Sequence, residues 1–460
     1  MSTTHRSHSR LLLSGTLFVV CLAPLPLGGN RPLPWSFNAV MVGALLTIWL
    51  LIILRGRTVP AFPWTRLRVP AWLFSAAALW IVAQALPLWP ASWSAALPLV
   101  LPSLGLNAEI SSTLSAHADE SRVVLMRLLT NAGVFLLAVH LGRDSTAAGR
   151  MLRFISASIG IYAVYGLVMH LGGVDRVLWW ERWAYRESVT GTFVNRNHFA
   201  TLTGLGWLIS LTLLNQVWRQ EYADRSHERL RSALIFLERN WIWAAIALIQ
   251  LTALGLSLSR AGLMATLIAS VVLTTLLFGV KGRGGLPTLF LVLAAAGALL
   301  FGGNTLNRLE ANPFQLEGRA QAFESTIIAI QAAPLTGHGA GSFEDVFRHY
   351  RPPEMRSGKT WDHAHNDYLE MIFELGLPAS AALLGAQAWI LVQLILGLKR
   401  RRRGTALPAL GIASVTLVGL HALLDFSIQM PGVALPFFAL LGLSFAQAWP
   451  GSHARDHRPR

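Results

Sequence analysis

Cysteine is almost missing from this chain. Its single thiol, Cys21, excludes an internal disulfide framework and any multi-cysteine metal site. Charge is scarce too: 13% of the 460 residues are Asp, Glu, Lys or Arg, against 53% hydrophobic, at a mean hydropathy of +0.48. That balance excludes an ordinary soluble domain, in which about a quarter of the residues are charged. No nucleotide-binding glycine loop, coiled-coil heptad, soluble repeat or low-complexity tract occurs, so nothing marks a soluble nucleotide-driven enzyme.

What the chain has instead is apolar runs long enough to cross a bilayer, which takes about 17 to 25 residues each. They lie near 11–28, 37–54, 70–89, 122–141, 151–172, 197–217, 240–257, 260–279, 286–303, 379–398, 406–425 and 433–449. The expectation is an all-α polytopic membrane protein with about twelve spans, forming one membrane domain over 1–460. The N-terminal run starts basic like a signal peptide, but no clear small-residue cleavage pattern precedes Arg31, so it reads as a retained first span.

The formal charge of +15 raises the question of nucleic acid, and the placement of the basic residues answers it. With the N-terminus inside, the inner segments carry 24 Lys and Arg against 6 Asp and Glu, while the outer segments carry 14 against 17. The basic excess is a topology signal with contact to anionic lipid heads, with both termini cytoplasmic and no nucleic-acid partner. Lys399 to Arg403, "KRRRR", reads as a stop-transfer anchor.

Three exterior segments are long enough to carry function: about 90–121, about 173–196 and about 304–365. The second mixes arginines with Trp179, Trp180, Trp183 and Tyr185, as a helix lying in the interface does, and sugar stacking is the less favoured reading. In the third, Phe323, Ile327 and Ile330 recur at helical spacing up to Pro334, predicting an amphipathic helix over the membrane core. Gly337, Gly339 and Gly341 follow, in a loop whose backbone N–H groups can approach an anion, although such glycines more often make turns. The tail after Trp449 reads as disordered.

Polar chemistry concentrates in "WDHAHNDYLEMIFELGLP", Trp361 to Pro378. Asp362 is placed to cap a helix, Leu369, Ile372 and Leu375 follow at helical spacing, and Gly376 with Pro378 stops it. On that helix His365 shares a face with Leu369 and Ile372, a setting that suits a tuned base and also simple packing. His363 and His365 diverge at i, i+2 on a helix, which argues against a metal site. Arg260, in the tight hairpin "SLSRAG", is a cation at membrane depth; an anionic ligand and snorkelling to the interface are equally good readings. Arg196 and Arg319 are further guanidiniums on the same side, and their planar forks suit phosphate oxygens. His421 and Asp425, at i, i+4, read as a pair that locks helix packing.

These segments resemble the bacterial O-antigen ligase and polymerase family of membrane glycan transferases. The likeness covers roughly residues 150 to 445 and rests on "GTFVNRNHFA", "SLSRAG", "GRAQAFESTIIAIQAAPLTGHGAGSF", "HAHNDYLEMIFELGL" and "HALLDFSIQMP", in that order. Phe323 is a departure, since many relatives carry Trp there. The resemblance implies a bacterial inner-membrane enzyme with a long periplasmic loop containing amphipathic helices (304–378, active-site helix included). That enzyme moves a saccharide from an undecaprenyl-diphosphate-linked donor to a glycan, a lipid A core or a protein. It further implies His365 acting on the acceptor hydroxyl and Arg260 at the diphosphate. Arg196 and Arg319 would share the electropositive cavity, with Asn366, Asp367 and Glu370 orienting the imidazole or binding sugar hydroxyls. Neither cofactor nor metal is needed, because the donor arrives activated. The alternative from another class is a transporter or flippase of lipid-linked glycans, which twelve spans also fit; a membrane scaffold is a distant third.

Overall fold

A computed structural model describes residues 3–56, 64–90, 113–221, 229–278, 313–352, 355, 361–401 and 404–449. Its helices are α1 (Thr3–Leu22), α2 (Pro32–Leu54), α3 (Arg68–Ala85), α4 (Ala118–Leu141), α5 (Ser145–Leu171), α6 (Arg196–Glu221), α7 (Arg229–Leu256), α8 (Arg260–Phe278), α9 (Pro313–Ala332), α10 (Phe343–Tyr350), α11 (Asp367–Arg400), α12 (Ala406–His421) and α13 (Pro431–Gln447). A two-stranded hairpin, β1 (Arg176–Val177) with β2 (Trp180–Glu181), is the only sheet among the described residues. Seven helices are long and apolar enough to cross a membrane, and Ser9–Leu22, α12 and α13 are shorter apolar ones. The protein is thus an all-α polytopic membrane protein. The expected span at 286–303 and the tail after Trp449 lie outside the described residues.

Helix α6 forms the centre of the bundle, and its composition explains how. Small residues let neighbouring backbones approach, and hydroxyls satisfy themselves internally. Gly204 faces Thr266 of α8 and Gly206 faces Ile159 of α5 and Gln250 of α7, each too closely for a side chain. A buried polar rung joins α5, α6 and α7: the Ser156 and Ser210 hydroxyls lie 2.8 Å apart, Ser210 donates to Gln250 at 2.8 Å, and Gln250 donates to the Ser156 carbonyl at 2.9 Å. Outside this centre, α13 packs along α4, α12 along α8, and α3 along α11.

Helix α11 is two helices joined at a break. Gly376 sits at φ 75° and ψ 168°, and Pro378 has no N–H to return to the Glu374 carbonyl. Four carbonyls around the break find donors from outside the regular helix ladder. Met371 accepts from Ser380 Oγ, Phe373 from the His338 N–H, Glu374 from the Gly339 N–H and Gln84 Nε2, and Leu375 from Trp80 Nε1. The Leu377 N–H donates to the Pro334 carbonyl at 2.8 Å. Glycine is required on both sides of this contact: a Cβ on Gly337 would sit 2.3 Å from the Glu374 carbonyl, and one on Gly376 2.3 Å from that of Leu335. The glycine loop does approach an anion, but an internal one, since the N–H groups of Gly341 and Phe343 point at the Glu374 carboxylate.

Two expectations are corrected here. The segment after α5 is a hairpin, with Val177 opposite Trp180, and not an interfacial helix; Gly172 and Gly173 end α5, and the Leu178 turn at φ 56° reverses the chain. Helix α9 buries Ala322, Ser325, Thr326 and Ala329, while Ile327 and Ile328 are exposed. The inward face is chosen by close approach to α11 and α10, which small residues permit and a Phe323–Ile327–Ile330 stripe does not.

Candidate active site

The site forms where the first residues of α6, α8 and α11 meet the last residues of α12. Asn366 caps α11, its side chain accepting from the Tyr368 and Leu369 N–H groups at 3.0 and 3.1 Å. Asp362 is therefore not the cap, and His365 is not on a helix face. It precedes the helix with a left-handed backbone, φ 54°, a conformation costly for a non-glycine residue. The start of α11 is pinned to the end of α12 by Asp367 N–H to the Ala422 carbonyl and by Tyr368 Oη to the Gly419 carbonyl, both 2.9 Å.

This anchoring gathers imidazoles around Phe426 and Asp425. His363 stacks on the Phe426 ring at 4.0 Å, while His198 and His365 meet it edge-on at 4.7 and 5.1 Å. Trp361 stands perpendicular to His365 at 5.6 Å. Asp425 is fully buried, accepts from Asn197 Nδ2 at 3.1 Å and from the Ser427 hydroxyl, and lies 3.5 Å from His198 Nε2 and 3.9 Å from His365 Nδ1. The last distance is too long for a hydrogen bond. His421 joins through Thr201 at 2.6 Å and Ser427 at 3.3 Å, so Ser427 bridges it to Asp425. The i, i+4 spacing brought the two near, yet α12 ends at His421 and Asp425 turns toward α6 and His365. Among the described residues no group of three or more His, Cys, Asp or Glu is arranged to hold a metal ion.

Asn366, Asp367 and Glu370 are used within the protein. Glu370 accepts from the Ala364 N–H at 2.7 Å and pairs with His363 Nδ1 at 2.8 Å; Gln429 Nε2 reaches both Glu370 and Asp367 at 2.9 Å. So Glu370 orients His363, while Asp425 faces His365. Burial works against a charged His363 ring, but the Glu370 carboxylate overcomes it and, with Asp362 adding, raises the imidazole to about 9. Behind these carboxylates Arg127 of α4 donates to the Gln429 carbonyl and lies over Trp35 at 4.7 Å.

Two of the arginines open helices. Arg196 is the first residue of α6 and Arg260 of α8, capped by Asn195 (accepting from Asn197 N–H at 2.9 Å) and Ser259 (accepting from Gly262 N–H at 3.3 Å). A cation at a helix N-terminus works against the helix dipole, whereas an anion there satisfies both. The two ends are joined, because Ser259 Oγ donates to Asn197 Oδ1 at 2.8 Å and Asn197 donates to Asp425. Arg260 is exposed, in the hairpin turned by Leu258 at φ 56°. The Arg196 guanidinium lies 5.2 Å over the Tyr185 ring. Enclosure raises the Tyr185 phenol above its ordinary range; Arg196 and Arg319 pull it down, and Asp425 and Asp362 push it up. Tyr185 therefore stands within electrostatic reach of α6, α9, the His365 loop and Asp425. Arg319 shares this neighbourhood and also acts on His421.

Sequence reasoning missed Asn197, His198, Ser259 and Phe426 and assigned Asp425 to packing. His198 lies in "NRNHF" beside Arg196, and that adjacency was the available signal. No curated protein matches the chain. Residues 245–384 match the family model described as O-antigen ligase, a stretch that takes in Arg260, Arg319, His365, Asn366, Asp367 and Glu370 and leaves Arg196 and Asp425 outside. That match, over fewer than a third of the residues, supports an O-antigen ligase and polymerase family assignment.

Proposed function

We propose that the protein transfers a saccharide from a polyprenyl-diphosphate carrier, undecaprenyl diphosphate by family resemblance, to an acceptor hydroxyl at the periplasmic face of the bacterial inner membrane. The observation that carries this reading is one constellation: His365 against Asp425, with Arg196 and Arg260 opening two helices tied to that carboxylate through Asn197 and Ser259. The O-antigen ligase match supports transfer and does not favour a transporter or flippase.

In the reaction, the acceptor oxygen attacks the anomeric carbon, the bond from that carbon to the diphosphate oxygen breaks, and the electron pair leaves with the carrier diphosphate. His365 takes the hydroxyl proton as general base, a contribution on the order of a hundredfold or more. Asp425 is a positioning residue that stabilises the imidazolium so formed. Arg196, Arg260 and Arg319, with the helix N-termini, hold the growing charge on the leaving diphosphate, so fixed cations take the part a metal ion plays elsewhere. The bias of basic residues toward alternate segments supports cytoplasmic termini and a site on the opposite face. Lipid A core, a growing glycan and a protein are the acceptors this chemistry admits.

Replacing His365 with Ala in the native host tests the reading. Loss of surface glycan with build-up of carrier-linked saccharide on the outer leaflet is the expected result. Unchanged glycan display removes His365 from the mechanism.

A further inference from the structure

The hairpin between α5 and α6 extends the site outward. Trp179 is 72% exposed and Trp183 58%, with Trp180 at 37% beside Trp179, their rings 4.6 Å apart. Such area exposed on a short, fixed loop is what a partner covers. The loop is held rigidly. Buried Arg182 donates to the carbonyls of Tyr185 and Ser188, and the Leu178 N–H donates to Tyr165 Oη at 2.7 Å. The Val189 N–H bonds the Leu256 carbonyl at 2.9 Å, fastening the segment to the hairpin that carries Arg260. Two residues beyond Trp183, Tyr185 lies under Arg196 and within reach of Arg319 and Asp425.

We propose that this aromatic hairpin is the binding platform for the saccharide of the lipid-linked donor, engaging the sugars that follow the one attached to the diphosphate. The inference rests on the transfer reading above. Continuity points to the donor, because the platform runs into Tyr185 and Arg196, where the diphosphate is held. Its chemistry points to sugar over lipid. Exposed Glu181 stands opposite exposed Arg176 in the hairpin register, and exposed Asp175 adjoins it. Carboxylates among indoles accept hydrogen bonds from sugar hydroxyls, and the facing guanidinium donates to those hydroxyls, a pairing that a purely lipid-facing loop does not need. Flat indole faces cover the apolar C–H faces of pyranose rings, and each such contact contributes through buried area and face geometry.

The test uses the full-length protein in host membrane vesicles, with two donors: undecaprenyl diphosphate bearing the host's complete saccharide, or bearing its first sugar alone. Trp179→Ala combined with Trp183→Ala is expected to raise KM for the complete donor about tenfold, two aromatic contacts' worth, and to leave the first-sugar donor unchanged. Trp→Phe at both positions restores most of the loss. Equal effects on both donors overturn the platform. So does a loss confined to the amount of protein in the membrane, which is the behaviour of a lipid anchor and is calibrated by Trp72→Ala, a 76% exposed tryptophan on α3. His365→Ala separates the two claims: retained transfer refutes the reading beneath, whereas its abolition alongside normal kinetics of the tryptophan variant refutes the platform alone.

Discussion

The pair formed by His363 and Glu370 makes stability depend on pH in a direction that the geometry fixes. His363 Nδ1 lies 2.8 Å from Glu370 Oε1, and the carboxylate, with Asp362 adding and Arg127 opposing, raises the imidazole from 6.5 to about 9 against the cost of burial. A basic group whose folded value is raised binds its proton more tightly folded than unfolded. The stabilisation is therefore complete below about 6.5, declines from there, and is gone once the pH has risen through about 9. At about 1.36 kcal/mol per decade, the gap between 6.5 and about 9 sets a ceiling on the order of 3 kcal/mol. His363→Gln keeps a polar side chain but cannot titrate. Thermal unfolding of both proteins in one detergent, at one heating rate, from about pH 6 to about pH 10, isolates the effect as a difference. Wild type should exceed the variant most at the acid end, and the advantage should shrink steadily above neutrality. Two curves that stay parallel across the range refute a charged His363 held by Glu370.

Three further outcomes follow from the same geometry. Asp425→Asn keeps the hydrogen bond from Ser427 and removes the charge facing His198 and His365; kcat should fall about a hundredfold with KM nearly unchanged, read in a steady-state titration with the carrier-linked donor. Arg260→Lys retains charge and loses the planar fork, so donor KM should rise about tenfold, and a kinetic titration with the carrier-linked donor reads it. Gly337→Ala forces a Cβ to 2.3 Å from the Glu374 carbonyl at a left-handed φ of 66°, which should destabilise by roughly 2 to 4 kcal/mol, visible as lost thermal stability or poor membrane yield.

Seven of the about twelve expected spans are helices long and apolar enough to cross a membrane, and they were legible because burial in lipid and in the bundle demands apolar residues over a fixed length. The chemistry was legible by residue type more than by geometry. The loop "DHAHND" reads as the start of a helix because Asp362 is a good cap and the apolar residues recur at helical spacing, yet Asn366 is the better-placed acceptor and shortens the helix by four residues. That shift changes the roles. His365 leaves the helical face, His363 gains Glu370 seven positions on, and the two histidines, expected to diverge, both reach Phe426. The role of Asp425 was misjudged as packing for a related reason. Its partners Asn197, His198 and His365 lie 228, 227 and 60 positions distant in the chain, and no local period reports a contact of that range.

Local rules fail at the same places where the site forms. Tyr185, Leu258 and His365 each carry a left-handed backbone without being glycine, at φ 55°, 56° and 54°. Each such residue costs on the order of 1 kcal/mol or more, and together they turn three separate loops. One presents the aromatic ring under Arg196, one turns the hairpin that ends in Arg260, and one sets the imidazole against Asp425. Two helices begin with arginine where the dipole prefers an anion. The charge at the helix ends is relieved by a ligand that brings negative charge to them, and the strained loops hold the imidazole and the aromatic ring where such a ligand meets them. A carrier diphosphate with its acceptor fits that description, and a protein built only to pack helices in lipid has no use for arginine at those two positions.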